Sequence, residues 1–237
     1  MEFIGSAKHV LKLIYSPKFL KTINKILTPF DAVLKDNKTI QPKGMFDYSE
    51  YALQHYINEH KLANTFPNLA NFNFNSWWNP RGGKAPTWDM ISLCKLNGKD
   101  ALLLVEAKAH VSEFKTNGKR VVAYPTAGSI ENLTNIENRI KEACDDLNCT
   151  NNGFNISIKT HYQLSNRLAF SWKLNQLNIP VVLLYIGFTG DNHFNDFFTD
   201  NNHWEQQFKI YLQDVVPFSF LNSTSSDFLF IHSSIPI

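Results

Sequence analysis

The chain has 237 residues, of which 43% are hydrophobic and 14% aromatic, and its formal charge is +2 at neutral pH. Nineteen Phe, eight Tyr and five Trp exclude a chain that is disordered throughout and predict one globular domain with a substantial core. The longest apolar runs have the length of a strand, so no membrane span and no membrane partner are predicted. Three cysteines without a CxxC pair, and an N-terminus interrupted by lysines, predict a cytoplasmic protein without structural disulfides.

Charge is distributed unevenly along the chain. Residues 1–45 carry a formal charge of +5, residues 46–190 carry +2, and residues 191–237 carry −5. We therefore predict a basic helical segment over 1–45, a central core over 46–190, and an acidic extension over 191–237 that packs on the core. Because no part of the chain is uniformly basic at high density, a polyanion would have to bind at a local patch.

The spacing of apolar residues predicts alternating helices and strands. Two short helices are expected within residues 6–28, on either side of Ser16-Pro17. The further predicted elements are a helix from Asp47 or Ser49 to residue 60, a strand-like stretch over 69–77, a helix over 129–147, a short strand over 156–158, a helix over 161–177, a buried strand over 179–188, a helix near 203–212, and apolar runs over 217–221 and 228–232.

Residues 87–95 and 99–108 are two β-rich runs separated by Asn97-Gly98. This dipeptide is typical of two-residue hairpin turns, because both turn positions need a positive φ. If Leu96 pairs with Lys99, Asp89 lies opposite Glu106, and Lys108 projects from the same face of the sheet. Directly opposed like charges destabilise a sheet, so the two carboxylates require a compensating cation.

Mg²⁺, with Mn²⁺ as its substitute, is the cation that this pair predicts. Proteins commonly hold Mg²⁺ with one or two carboxylates, and water and phosphate oxygens complete its coordination. Asp89 and Glu106 are then the metal ligands, and Lys108 stabilises negative charge that develops on a phosphorus-bound oxygen. The alternative is that both carboxylates are solvated or paired with Lys and Arg.

Asp89, the hairpin and the run Leu-Leu-Leu-Val-Glu-Ala-Lys over 102–108 resemble the PD-(D/E)xK nuclease superfamily, although Trp88 stands where the motif has proline. The resemblance covers roughly residues 47–188. It implies an α/β, restriction-endonuclease-like αβββαβ core, a mixed sheet flanked by helices, with extra N-terminal helices and a C-terminal extension. It also implies a metal-dependent nuclease in which Asp89 and Glu106 bind Mg²⁺ and Lys108 assists the nucleophilic water.

Three further residues are candidates through this resemblance. Many members of the superfamily add a glutamate from the first helix, for which Glu50 is the better candidate here; a surface or capping role is the alternative. Gln163 and Arg167 share one face of a predicted helix at i, i+4. In related nucleases polar residues on this helix contact the scissile phosphate or the water, so we predict a catalytic role for Gln163 and nucleic-acid contact for Arg167. A plain polar helix face is the alternative.

Arg81 and Lys84 lie in the run Trp-Trp-Asn-Pro-Arg-Gly-Gly-Lys over 77–84. Two glycines would let this loop approach a phosphate backbone, and a tryptophan would stack on an unpaired base, so we predict that Arg81 and Lys84 bind nucleic acid. The alternative is that the two tryptophans belong to the core.

The leading hypothesis is a Mg²⁺-dependent phosphodiesterase that cleaves nucleic acid, with DNA as the favoured substrate. One alternative is a catalytically inactive nucleic-acid-binding module on the same fold. Another is a protein-interaction scaffold that uses the basic N-terminal helices and the acidic tail. The sequence leaves the formation of a homo-oligomer open.

Overall fold

The structure is a computed structural model that describes residues 4–44, 49–121, 123–223 and 227–237. Its centre is a mixed five-stranded sheet with helices on both faces, which confirms the predicted α/β class. In these ranges no helix combines the length and the apolar character needed to cross a membrane.

The elements follow one another along the chain with these bounds. The helices are α1 Gly5–Tyr15, α2 Phe19–Leu27, α3 Leu53–Glu59, α4 Phe74–Trp78, α5 Ala127–Thr150, α6 Tyr162–Gln176 and α7 Asn201–Leu212. The strands are β1 Ala32–Val33, β2 Tyr51–Ala52, β3 Thr87–Trp88, β4 Met90–Leu96, β5 Lys99–Lys108, β6 Val181–Thr189 and β7 Phe228–Pro236.

The large sheet has the strand order β1-β4-β5-β6-β7, and β2 and β3 form a separate small sheet. Neighbouring strands are antiparallel from β1 to β5 and parallel from β5 to β7. Core residues of α1 and α2 pack on one face, and those of α5, α6 and α7 pack on the other. Because both faces are covered, every residue of β6 is buried.

The hairpin of β4 and β5 has the predicted register. Asn97 and Gly98 both have positive φ, 51° and 77°, as a two-residue turn of this kind requires. Leu96 pairs with Lys99, and Met90 pairs with Val105. Continuing this register by one residue brings Asp89 opposite Glu106. Because alternate side chains of a strand project from the same face, Glu106 and Lys108 of β5 both lie on the face of the sheet that α6 covers.

Most of the predicted helices and the central strand are confirmed, with ends that differ by at most three residues. The predicted helices over 129–147, 161–177 and 203–212 correspond to α5, α6 and α7, and the predicted strand over 179–188 corresponds to β6. The two short N-terminal helices are α1 and α2, separated near Ser16-Pro17.

The strand predicted over 69–77 is wrong. Pro67–Leu69 forms a 3-10 turn, and α4 follows, with the Asn73 side chain accepting a hydrogen bond from the Ser76 amide at 2.9 Å. Only Phe72 and Phe74 have the alternation of a strand; Phe74, Trp77 and Trp78 have the i, i+3, i+4 spacing of a helix and pack in a cluster around Phe170 of α6. The Asn73 cap marks where this short helix begins.

Two other boundaries differ from the prediction. The helix expected from Asp47 or Ser49 begins at Leu53, because Tyr51–Ala52 pairs as β2 with Thr87–Trp88; Asp47 lies outside the described residues. The short strand expected over 156–158 is a loop, and its Ile158 carbonyl accepts a hydrogen bond from the Lys119 amide at 2.7 Å.

Both terminal segments add a strand to an edge of the large sheet. β1, from residues 1–45, pairs with β4, while β7, from residues 191–237, pairs in parallel with β6. The apolar run predicted over 228–232 is the first half of β7, and the run over 217–221 contains the 3-10 turn Phe218–Phe220. The acidic tail therefore packs on the core through main-chain hydrogen bonds.

Candidate active site

The end of the hairpin brings Asp89, Glu106 and Lys108 together. Glu106 and Lys108 are only 2% and 4% exposed, whereas Asp89, one residue before β4, is half-buried. The Asp89 Oδ2 atom accepts a hydrogen bond from the Ala107 amide at 2.7 Å, which ties this carboxyl group to the neighbouring strand. Strand alternation, burial and this hydrogen bond together hold the two carboxyl groups on one face of the sheet.

Both oxygens of the Glu106 carboxylate are hydrogen-bonded to neighbouring side chains. Oε1 accepts from Lys108 Nζ at 2.5 Å and from Gln163 Nε2 at 2.7 Å, and Oε2 accepts from Arg167 Nε at 2.7 Å. Burial alone would raise the pKa of Glu106, but the charges of Arg167 and Lys108 outweigh it and hold this pKa below its ordinary value. Glu106 is therefore ionised near neutral pH.

Arg167 of α6 is buried and its donors are used within the protein. Besides the bond to Glu106, Nη2 donates to the Thr87 carbonyl and Nη1 donates to Asn166 Oδ1, each at 2.7 Å. The guanidinium also lies over the Trp88 ring, 4.5 Å from its centroid. These contacts hold Glu106 and the end of β3, a role that the sequence did not predict for Arg167.

Gln163, one turn earlier on α6, joins the two charged groups of β5. Its Oε1 atom accepts a hydrogen bond from Lys108 Nζ at 3.1 Å, while its Nε2 atom donates to Glu106. The amide thereby fixes the direction of the Lys108 ammonium. The i, i+4 spacing of Gln163 and Arg167 brings both side chains onto the same carboxylate.

The pKa of the Asp89 carboxyl group is shifted upward, in the opposite direction to that of Glu106. Burial, and then the negative charge of Glu106, raise the pKa of Asp89 to about 8, although Lys108 and the Ala107 amide oppose the shift. Among the described residues, Asp89 Oδ1 has no hydrogen-bond partner. Without a cation beside it, Asp89 therefore retains its proton at neutral pH, whereas Glu106 is ionised.

Asp89 and Glu106 fit a Mg²⁺ ion better than a zinc or calcium ion. In the described ranges, no three His, Cys, Asp or Glu side chains cluster so that they could hold a metal. Two carboxylates are too few for the closed donor sets of structural Zn²⁺ or Ca²⁺ sites, but they match Mg²⁺, which keeps several water ligands. A cation beside Asp89 would also lower its raised pKa.

A cleft of about 610 Å³ opens next to α6, and four of the eight predicted site residues line it: Glu50, Lys84, Gln163 and Arg167. Asp89, Glu106 and Lys108 do not line the cleft but lie behind Gln163 and Arg167, which bond to Glu106. Glu50 precedes β2 and does not lie on a helix; its Oε2 atom accepts a hydrogen bond from the Thr87 hydroxyl. The charged and amide side chains that line the cleft are those of Glu50, Lys84, Lys115, Asn117, Lys119, Arg120, Gln163, Asn166 and Arg167. Cations thus outnumber carboxylates on its wall, which favours an anionic ligand.

Arg81 and the two tryptophans before it are placed differently. Arg81 does not line the cleft, and its Nε atom donates to Glu131 at 2.6 Å in an exposed ion pair. Trp77 and Trp78 are buried against Phe170, with ring centroids 5.3 and 4.9 Å away. The interpretation that they belong to the core is confirmed, and stacking of either ring on an unpaired base is excluded by burial.

The sequence did not predict that the loop with Lys115, Lys119 and Arg120 lines the cleft. Main-chain hydrogen bonds fasten it to the segment before α6, including that from the His161 amide to the Thr116 carbonyl at 2.8 Å. A Cβ on Gly118 would lie 2.4 Å from the Lys159 carbonyl oxygen, so this close approach requires glycine. The only signal in the sequence is a glycine followed by two cations within a polar loop.

Removing Arg167 should destabilise the fold strongly. Arg167→Met leaves the buried Glu106 carboxylate with one cation fewer, and we expect a loss of about 3–5 kcal/mol in the free energy of unfolding, measured by urea denaturation. The control is Arg81→Met, which breaks the exposed pair with Glu131 and should cost at most about 1 kcal/mol. Equal losses in the two variants would show that Arg167 does not compensate a buried charge.

The raised pKa of Asp89 predicts how stability depends on pH when no metal is present. Between its ordinary pKa of 3.8 and about 8, folded Asp89 retains a proton that the unfolded chain releases. The stability of the wild type should therefore fall as pH rises through this range, relative to Asp89→Asn, which does not titrate. Urea denaturation at several pH values in EDTA measures the difference, and parallel curves for the two proteins would contradict the assignment.

Comparisons of this chain with protein-family models, with curated proteins and with solved structures found no match. The interpretation of the site therefore depends on its residues and their geometry.

Proposed function

We propose that this protein is a Mg²⁺-dependent nuclease that hydrolyses phosphodiester bonds, with DNA as its favoured substrate. The observation that carries the proposal is the meeting of Asp89, Glu106 and Lys108 at one end of a hairpin, beside a cleft lined by cations. Two carboxyl groups and an ammonium group are the components that metal-assisted phosphodiester hydrolysis needs.

The proposal includes a restriction-endonuclease-like core. The order α2, β1, β4, β5, α6, β6 is compatible with αβββαβ, and β4, β5 and β6 are adjacent in the sheet. In this arrangement residues 34–89, with β2, α3, α4 and β3, are an insertion between the first and second strands, α5 is an additional helix before α6, and β7 is an extension. Glu50 then lies in the insertion and not on the first helix of the core.

Each side chain of the cluster has a distinct role in this proposal. Mg²⁺ held by Asp89 and Glu106 would supply Lewis-acid activation of a water molecule and of the phosphate. Lys108 stabilises the negative charge that develops on the oxygens of the phosphorus atom and orients the nucleophilic water. Gln163 positions the Lys108 ammonium, and Arg167 positions Glu106.

The cations of the cleft account for binding of a polyanion by a chain whose net charge is only +2. Lys84, Lys115, Lys119 and Arg120 line one continuous wall. Within the described ranges, none of them forms an ion pair with a carboxylate, so their charges are available to phosphates. Glu50 lies on the same wall and adds negative charge near Asp89. We assign it a supporting catalytic role.

Cleavage assays test the proposal directly. Plasmid, linear duplex DNA, single-stranded DNA and RNA are incubated with Mg²⁺ or Mn²⁺, and with EDTA. We expect metal-dependent cleavage that Asp89→Asn and Lys108→Ala each reduce by at least about 10²-fold, because both changes remove stabilisation of the transition state. Lys108→Ala should retain substrate affinity in Ca²⁺, since its proposed role concerns the chemical step.

Two matched controls lie at the other end of the same hairpin. Asp100→Asn and Lys99→Ala make the same chemical changes at exposed positions and should leave the rate unchanged. Cleavage by Asp89→Asn at the wild-type rate would contradict the assigned site. A wild type that binds these substrates but cleaves none of them would favour the nucleic-acid-binding module, and one that neither binds nor cleaves would favour the protein scaffold.

A further inference from the structure

The cationic cleft continues into a second cavity of about 440 Å³. Lys84, Lys119 and Arg120 line both cavities, so the two spaces are contiguous at these three cations. Beyond them the wall becomes largely apolar. Its apolar members are Val121, Pro125, Ile130, Leu133 and Ile136. A charged groove therefore leads directly into a pocket of the size that small ligands occupy.

The shared cations are suited to phosphate at the mouth of this second cavity. Lys119 is half-buried, its Nζ atom lies 3.2 Å from the Tyr162 hydroxyl, and it stands over the Tyr162 ring at 4.7 Å from the centroid. Burial removes water from the Lys119 ammonium and lowers its pKa, and among the described residues no carboxylate forms an ion pair with it. An anion bound here would restore the solvation that the ammonium has lost.

The pocket itself offers an apolar wall with a fixed polar rim. Ile130 is 51% exposed on the first turn of α5, although it is a large apolar residue. On the rim, Asn132 Oδ1 accepts from the Arg81 amide at 2.9 Å, and Asn132 Nδ2 donates to the Gly82 carbonyl at 2.7 Å. These two hydrogen bonds tie the loop at Arg81 and Gly82 to α5, at the edge of the apolar wall.

We propose that the second cavity binds an unpaired base of a single nucleic-acid strand, while Lys84, Lys119 and Arg120 hold the adjacent phosphates. An unpaired base exposes apolar faces that the wall formed by Ile130 and Leu133 can cover, and the cations beside it can hold the phosphates on either side. In a duplex those faces are already stacked on neighbouring bases. This inference rests on the proposed function and names its substrate class.

Fluorescence anisotropy in EDTA, where metal-dependent cleavage is absent, tests the base pocket. The probes are a short labelled oligothymidylate, an abasic strand of equal length and charge, and a duplex of that length. The wild type should bind the oligothymidylate about tenfold more tightly than the abasic strand, because covering roughly 55 Å² of apolar base surface at about 25 cal/mol per Å² is worth about that factor. It should also bind the oligothymidylate more tightly than the duplex.

Two isoleucine-to-glutamate variants test whether the preference for a strand with bases arises at Ile130. Ile130→Glu should bring the affinity ratio of oligothymidylate to abasic strand close to one, whereas Ile210→Glu should leave it near ten. Ile210 is a sound control because it is an isoleucine of α7 that is 55% exposed. Each variant adds one negative charge that acts on both strands alike, so the ratio reports the base alone.

A wild-type ratio of one, an unchanged ratio in Ile130→Glu, or tighter binding of the duplex would each overturn this inference. Failure of the proposed function is distinguishable, since the binding assay requires no cleavage. A wild type that shows the expected ratios but cuts no nucleic acid in Mg²⁺ or Mn²⁺ overturns the nuclease proposal alone. A wild type that cleaves duplex DNA but binds the oligothymidylate and the abasic strand with equal affinity overturns the single-strand inference alone.

Discussion

The burial of the Glu106 carboxylate is the constraint on which the rest of this site depends. An ionised carboxylate in the interior is stable only when cations and hydrogen bonds replace the water it has lost. Arg167 and Lys108 supply the charge, and Gln163 supplies the remaining donor on Oε1. Since two of these three side chains belong to α6, the requirement also fixes how α6 lies against the sheet.

Asp89 lies beside this closed network but is not part of it. Its Oδ2 atom is tied to the Ala107 amide, while its charge is opposed by burial and by the nearby Glu106. A cation would relieve this repulsion and would compete with Lys108 for the Glu106 carboxylate. The ammonium of Lys108 is therefore the group that we expect to turn toward substrate when a metal binds.

The hairpin and the central strand were predictable from the sequence because local chemistry determines them. Asn97-Gly98 specifies the turn, the turn specifies the register, and the register brings Asp89 opposite Glu106. The buried strand β6 is likewise evident from a run of apolar residues. Helix α4 was missed although Phe74, Trp77 and Trp78 have the i, i+3, i+4 spacing of a helix, because the element has only five residues and the apolar residues before it, Leu69 and Phe72, are not part of it.

The parts of the site that were missed depend on contacts between distant segments. From the sequence, Arg167 was predicted to contact nucleic acid. The fold shows that its Nε, Nη1 and Nη2 atoms instead donate hydrogen bonds to Glu106, Asn166 and Thr87. The cations Lys119 and Arg120 reach the cleft because their loop is fastened to the segment before α6, about forty residues later in the chain. No local pattern encodes such a contact.

The most direct test of the central claim, that Asp89 and Glu106 form a divalent-cation site, is isothermal titration calorimetry with Mn²⁺. The wild type should bind Mn²⁺, Asp89→Asn should bind it at least about tenfold more weakly because one of two protein ligands loses its charge, and Asp100→Asn should bind it as the wild type does. Equal affinity of the wild type and Asp89→Asn, or no binding of Mn²⁺ by the wild type, would contradict the account.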